Sequence, residues 1–180
     1  MKIDAIEIYH VRMPLIYPFR TSFSNEESIE SVLVKISSGN TYGWGEAAPW
    51  RMPAYSGECA SGVFMVIKDF LGPAILGKDL GTGEMLQEEM AYVKDNYFAK
   101  SALDLAWWDL KAKIEEKPLW KLIGGTKNPL DVGADFGVMD SIPALLDTID
   151  EAIQGGFKRV KLKYRPGWEL KMVRRVRERF

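Results

Sequence analysis

"GGFKRVKLKYRPGWE", Gly155 to Glu169, is the stretch whose reading decides the fold. Phe157 to Tyr164 reads as a β-strand in which basic and apolar residues alternate. Side chains two apart in a strand share a face, so Arg159, Lys161 and Lys163 point one way and Val160 and Leu162 the other. The run stops in Arg165-Pro166-Gly167-Trp168, a tight turn. Before it, Leu145, Leu146, Ile149, Ala152 and Ile153 form a helical stripe. Ser141 is its N-cap, Pro143 sits in its first turn, and Gly155-Gly156 ends it. Leu130 to Val138 is a further strand, and Trp168 to Arg179 a second helix, very basic near its end. The order β-α-β-α is the unit of a parallel sheet or barrel.

The sequence upstream has another character. "IDAIEIYHVRMP" alternates as a strand, and Pro14 and Pro18 are expected to break it. "PFRTSFSNEES" is polar and turn-rich and reads as a loop. Ser31–Ser37 and Thr41–Ala47 are two strands joined by Ser38-Gly39-Asn40. A helical period follows. Ala60–Leu71 is expected to stop at Gly72-Pro73, and Gly83–Val93 and Tyr97–Ile114 follow. Pro118–Ile123 then ends in Gly124-Gly125. The fold class expected is therefore an α+β capping domain, an antiparallel three-stranded sheet plus helices, over residues 1–127. Residues 128–180 are the first β-α-β-α units of a (β/α) barrel. Two parallel strands and two helices cannot bury both faces of a sheet, and such a barrel has eight strands. The expectation is a barrel that is truncated here or completed by another chain, with association through its open edge or as a homo-oligomer.

Composition removes several function classes. A net charge of −1 gives no field for nucleic acid or an anionic membrane. The apolar runs are too short to span a bilayer, and the alternating N-terminus lacks a signal peptide's apolar core. Cys59 is the only cysteine, so no internal disulfide forms, which fits a cytoplasmic protein. With His10 as the only histidine, a zinc site of the Cys/His kind is excluded within one chain, and a Ser-His-Asp site has little support. Acid–base work would fall to lysines and carboxylates.

Lys161 and Lys163 lie roughly 6–7 Å apart at the Cα on one strand face. Alternating charge of this kind often does no more than blunt an exposed sheet edge. The βαβα setting points elsewhere, because it turns the lysine face toward a barrel interior and puts Lys163 at the C-terminal end of its strand. Barrels of this class place catalytic groups there. Neighbouring positive charge and partial burial lower a lysine's pKa from about 10.4, toward a value suited to taking a proton from carbon.

Several stretches together resemble the enolase superfamily and, within it, the muconate lactonizing enzyme group. "PFRTSFSN" is similar to the family's mobile loop, and "YGWGEAAP" with "YSGE" to its hairpin and second substrate loop. "AKSALDLAWWDLKAK" with "PLWKLIGG" is similar to the helix and turn leading into the barrel. "KLK" in the strand resembles the family's Lys-x-Lys element. The Pro-Gly-Trp-acid ending resembles the branch containing o-succinylbenzoate synthase and N-acylamino acid racemase.

The resemblance implies removal of a proton α to a carboxylate, with a divalent metal, usually magnesium, stabilising the enediolate. It implies Lys163 as acid/base and Lys161 as its electrostatic partner. Phe19, Phe23, Tyr55 and Asp135 are candidate residues for binding a small-molecule carboxylate substrate; ordinary packing explains Phe19 and Phe23 equally well and Tyr55 somewhat better. The family's metal ligands lie on later barrel strands, so none is expected before Phe180, and Asp104, Asp109 and Asp135 do not match them. The 180-residue chain alone is accordingly expected to be inactive and not to bind magnesium. Asp135 stands where many racemase-type members have a small hydroxyl residue. Three functional readings stay open. They are a synthase-like lyase of menaquinone biosynthesis, an N-acylamino acid racemase or dipeptide epimerase, and a non-catalytic chain completed by a partner. Trp107, Trp108 and Trp168 are expected in the core or at a helix start, and Asp109 as a bridge within the fold.

Overall fold

The computed structural model describes residues 1–180. The chain divides into two compact units, Met1–Pro14 with Ser28–Thr126, and Leu15–Glu27 with Lys127–Phe180. No helix is long and apolar enough to cross a membrane.

The first unit is built on a sheet of order β1-β2-β3, with β1 Ala5–Arg20, β2 Asn25–Ser38 and β3 Thr41–Ala47. β2 and β3 run antiparallel with Ser38 facing Thr41, so Gly39-Asn40 alone makes the turn. Gly39 takes φ +56, a conformation open to glycine at little cost, and its N–H donates to Asp4 Oδ2 at 2.7 Å. Period-two burial then selects the core face. Val32, Val34 and Ile36 are fully buried, and Gly43, Gly45 and Ala47 of β3 share their side.

That face meets helix α4, Tyr97–Ile114, at unusually short range. A Cβ on Gly45 would lie 2.0 Å from the carbonyl oxygen of Ala102 and 2.6 Å from the nitrogen of Ala106. One on Gly43 would lie 2.2 Å from the carbonyl oxygen of Ala106. Backbone therefore touches backbone, which glycine on the strand and alanine on the helix permit. Trp107 of α4 is fully buried beside Leu103 and Leu110, as its place in the helical period predicts. Helices α1 (Ala60–Val66), α2 (Gly72–Ile75), α3 (Gly83–Met90) and α5 (Leu119–Leu122) make up the rest of this layer.

Two expectations about chain breaks are corrected here. β1 does not stop at Pro14 or Pro18 but continues to Arg20, and the stretch expected as a loop is mostly strand. β1 is an outer strand of the sheet, so a residue without an N–H can sit in it without opening the ladder. The connection shrinks to a turn at Thr21–Ser24, where the Thr21 N–H donates to the Ser24 carbonyl and the Ser24 N–H to Thr21 Oγ1, both at 2.9 Å. Nor does Gly72-Pro73 stop the helix. A π-helical turn at Ile67–Leu71 leads straight into α2, whose first turn holds Pro73, where the missing N–H costs nothing.

The second unit is a βαβα piece. β4 (Gly133–Phe136) and β5 (Arg159–Leu162) are parallel, with Asp135 facing Lys161. Both strands are shorter than the alternation suggests. A ladder needs two extended partners, and Leu130, 84% exposed, lies outside it. Between the strands runs α6, Ile142–Gln154, capped by Ser141, whose Oγ accepts the Ala144 N–H at 3.2 Å. Helix α7, Glu169–Arg179, follows β5. Phe136, Leu145, Ile149 and Met172 form the core, and Ala134, Val160, Leu162 and Trp168 pack against it. The helices thus cover one face of the strand pair, while Asp135, Arg159, Lys161 and Lys163 occupy the other.

Gly45→Ala should destabilise the first unit by roughly 3 kcal/mol, because the methyl group meets backbone that cannot move aside. Gly57→Ala, where the added atom meets nothing within 4 Å, should stay within about 0.5 kcal/mol of the parent. Urea unfolding followed by circular dichroism measures both; equal midpoints for the two variants would contradict the contact.

Candidate functional site

The end of β5 gathers the chemistry of the second unit. Lys163 directly follows the strand, and its N–H extends the ladder by donating to the Phe136 carbonyl at 3.2 Å. This fixes the residue's backbone. Alternation turns its side chain away from the helix-covered face, and the side chain is only partly exposed. Its Nζ lies 3.7 Å from the ring centroid of Phe19, a close cation–π contact. Phe19 comes from the hairpin tip Leu15–Glu27, which is part of the same unit. The tip is held a second time by an ion pair between Arg20 and Asp140, which follows β4.

Lys161, two residues back, pairs with Asp135 at 3.1 Å, as their facing positions in the ladder allow. Both side chains stay open to solvent, 70% and 53% exposed, so the pair orients more than it stabilises. Arg165-Pro166-Gly167-Trp168 forms a turn in which Trp168 N–H donates to the Arg165 carbonyl at 3.0 Å. Pro166 and Gly167, at φ +84, stand where a type II turn wants them. The turn brings the Arg165 guanidinium 4.5 Å above the Trp168 ring. The result is a face with two ammonium groups, one aromatic ring against Lys163 and one carboxylate.

Of the candidates read from sequence, Lys161, Lys163, Asp135 and Phe19 come together here. Phe19 arrives on a strand and not in a loop. Phe23 lies in the hairpin turn, 60% exposed. Tyr55 belongs to the other unit, where its ring stacks on Trp50 with centroids 5.6 Å apart. His10 pairs with Glu30 at 3.1 Å in the first unit. Asp109 is a bridge within the fold, accepting from the Trp44 N–H at 2.8 Å and from Lys113 at 2.6 Å. Asp104 accepts from Gln87.

Two arrangements escape sequence reasoning. One is the Arg20–Asp140 pair, which no local pattern signals. The other is Glu58 of "YSGE", whose two carboxylate oxygens accept the N–H groups of Phe98 and Ala99 at 2.9 and 3.3 Å. It caps α4 from forty residues away. The helix's own N-cap, Asn96, sits at φ +54 and makes no capping bond, and the first turn carries no acid. That vacancy in the local cap pattern is the signal that could have pointed outward.

The residues of this face do not fit a divalent cation. Asp135 is its one carboxylate and is taken by Lys161, and nowhere in the chain do three or more His, Cys, Asp or Glu side chains converge.

Residues 3–124 match the mandelate racemase / muconate lactonizing enzyme family, N-terminal domain. The chain belongs to that family. It is 33% identical over 180 residues to an N-succinylamino acid racemase of Thermus thermophilus, which covers all of this chain and 49% of that one. An o-succinylbenzoate synthase of Geobacillus kaustophilus is 34% identical over 181 residues, with 100% and 48% covered. The solved structure of an enolase superfamily member from Listeria innocua superposes with a TM-score of 0.89 at 30% identity, over 98% of this chain and 48% of that one. The chain thus spans about half the length of the curated relatives it matches. Its α+β layer is the N-terminal capping domain of this family, and the parallel strands follow it.

Asp140→Asn removes the charge that holds the hairpin tip of this family member. Amide hydrogen exchange at Thr21–Ser24 should quicken by up to about fivefold, the range of an exposed ion pair, while Ile3 to Val11 stays unchanged. Unaltered exchange at the turn would mean that Arg20 does not restrain it.

Proposed function

We propose that this chain carries the proton-transfer lysine of an o-succinylbenzoate synthase-like lyase. The observation that carries the proposal is the placement of Lys163 at the end of β5, with its ammonium against Phe19 and Lys161 on the same face. In its neutral form the Lys163 amine takes the proton α to the substrate carboxylate. The resulting ammonium then gives a proton to the departing hydroxyl group as the C–O bond breaks and the double bond forms, so water leaves and the amine is restored. Lys161 stays charged and attracts the negative charge that builds on the carboxylate, with Asp135 holding it in place. Phe19 excludes water from the lysine. Magnesium, implied by the resemblance, finds no ligand set among these residues, and the roles proposed rest on the chain's own side chains.

A racemase or dipeptide epimerase acting on N-acylated amino acids is the second reading. It is favoured by the relatives, which include an N-succinylamino acid racemase beside the synthases. The racemase relative and the synthase relative are also nearly equal in identity, 33% and 34%. Both reactions begin at Lys163. Small carboxylate substrates, a place in menaquinone biosynthesis and a cytoplasmic site of action all belong to the first reading.

With the chain joined to the remaining half found in its relatives, Lys163→Ala should lower α-proton exchange with deuterated water by about 10²–10⁴-fold, read by proton NMR. Lys161→Ala should slow exchange yet leave a measurable rate. Exchange near the parent rate in the Lys163 variant would overturn the assignment. Product analysis by mass spectrometry, with loss of water or inversion at the α-carbon, separates the two readings.

A further inference from the structure

We infer that Arg165 is a specificity-determining residue, whose guanidinium takes a second carboxylate of the substrate, remote from the carbon that loses its proton. The inference rests on the proton-transfer reading of Lys163. Lys161, Lys163 and Arg165 follow one another at two-residue steps, out of β5 and past its C-terminal end. In the reaction proposed, Lys161 attracts the carboxylate beside the reacting carbon and Lys163 takes the proton. Arg165 is the next cation along the chain, on the far side of Lys163 from Lys161. A carboxylate held at Lys161 lies on the wrong side of Lys163 for it. The charge of Arg165 is therefore placed for the other end of the molecule.

The neighbouring acids are already engaged. Of those on β4 and the loop after it, Asp135 pairs with Lys161 and Asp140 with Arg20. Glu169, in the first turn of α7, forms no ion pair with Arg165. Arg165 is exposed, and what holds it is the Trp168 ring, 4.5 Å from Cζ, and the Met139 carbonyl, 3.5 Å from one terminal nitrogen. Packing on a tryptophan is by itself an ordinary fate for a surface arginine. Here the manner of holding matters. A ring takes the flat face of a guanidinium and leaves its N–H edges uncovered, and a contact of 3.5 Å satisfies one of five N–H groups poorly. The side chain is thus oriented while its donors stay unused, which suits a two-pronged bond to a carboxylate. Arg165 and Lys163 also border one recess between the loops that follow β4 and β5, with Met139 and Trp168 in its wall. The base and the guanidinium open on the same space.

The test uses the chain joined to the remaining half found in its relatives. The probes are N-acylphenylalanines and β-hydroxy acids bearing the same acyl tails, one set for each reading of the site. The tail is malonyl, succinyl or glutaryl, ending either in its free carboxylate or in the corresponding primary amide. Exchange of the α-proton with deuterated water is followed by proton NMR. For at least one tail the parent should show a KM about 10–100-fold lower for the carboxylate than for the amide. Arg165→Met should raise KM for that carboxylate by the same factor, keep kcat within about twofold and leave the amide unchanged. Arg165→Lys, which keeps the charge and loses the fork, should fall between parent and Arg165→Met. A role confined to packing on Trp168 would affect carboxylate and amide alike, and that result overturns the inference. A parent that exchanges the probes without preferring the carboxylate at any tail length overturns this inference alone, and that comparison does not depend on the folding of a variant. A parent that exchanges none of the probes overturns the proton-transfer reading and this inference together.

Discussion

The close approach of β3 to α4 is the constraint on which the first unit depends. At Gly43 and Gly45 strand and helix meet without side chains between them, and the sheet is brought so near that Trp107, Leu103 and Leu110 close the core around the contact. The same approach sets the polar arrangement at the rim. Asp109 and Lys113, one helical turn apart on α4, reach past the edge of β3 and satisfy the backbone of Trp44 and Tyr42. A bulkier "YGWGEA" would separate the layers, and those side chains would no longer reach. Glu58 completes the arrangement by fixing the N-terminal end of α4. Packing, edge protection and capping are thus consequences of one backbone contact.

The second unit rests on a different rule, the two-residue period of β5. Val160 and Leu162 are committed to the helices, and that commitment leaves Arg159, Lys161 and Lys163 no face but the other one. The charged face is then shaped from outside the strand. Asp135 restrains Lys161 through the ladder, and Phe19 covers the Lys163 ammonium from the hairpin tip. The two lysines therefore have unlike surroundings, one ion-paired and open, the other against an aromatic ring. The different parts proposed for the two lysines rest on this difference in surroundings.

Sequence was most informative where a local period or a local cap decides structure. The β5 alternation, the Ser141 cap and the burial of Trp107 are all visible in a few residues. It misled where tertiary context overrides a local signal. Pro14 and Pro18 look like breakers, yet an outer strand accommodates them; Gly72-Pro73 looks like a stop, yet a π-helical turn carries the chain through. It was silent where partners are far apart, as in Arg20 with Asp140 or Glu58 with α4. The face of Lys161 and Lys163 was legible from spacing alone, whereas the contacts of each lysine came only from the fold.

The two lysines that meet aromatic rings most closely, Lys35 and Lys163, show how neighbours assign different work to one residue type. Lys35 donates to Glu7 above all, which holds the lysine above its ordinary range and, with the further pull of the Tyr9 hydroxyl, holds the Glu7 carboxyl below its own. The signs give a window. The Glu7 contribution to folding is present above the unfolded carboxylate value and is lost as pH falls through the lower folded value. The Lys35 contribution is present below the unfolded lysine value and is lost as pH rises through the higher folded one. Between those limits Lys35 is a fixed cation in a persistent pair, suited to holding structure and unsuited to passing protons. Lys163 has no carboxylate on it and only an aromatic face against its ammonium. A ring face offers no oxygen to take up the hydrogen bonds of the nitrogen, so no ion pair fixes Lys163 in place. On this chain Lys35 is tied to a carboxylate and belongs to the architecture, whereas Lys163 is held by a ring, and the proton-transfer role proposed for Lys163 relies on that difference.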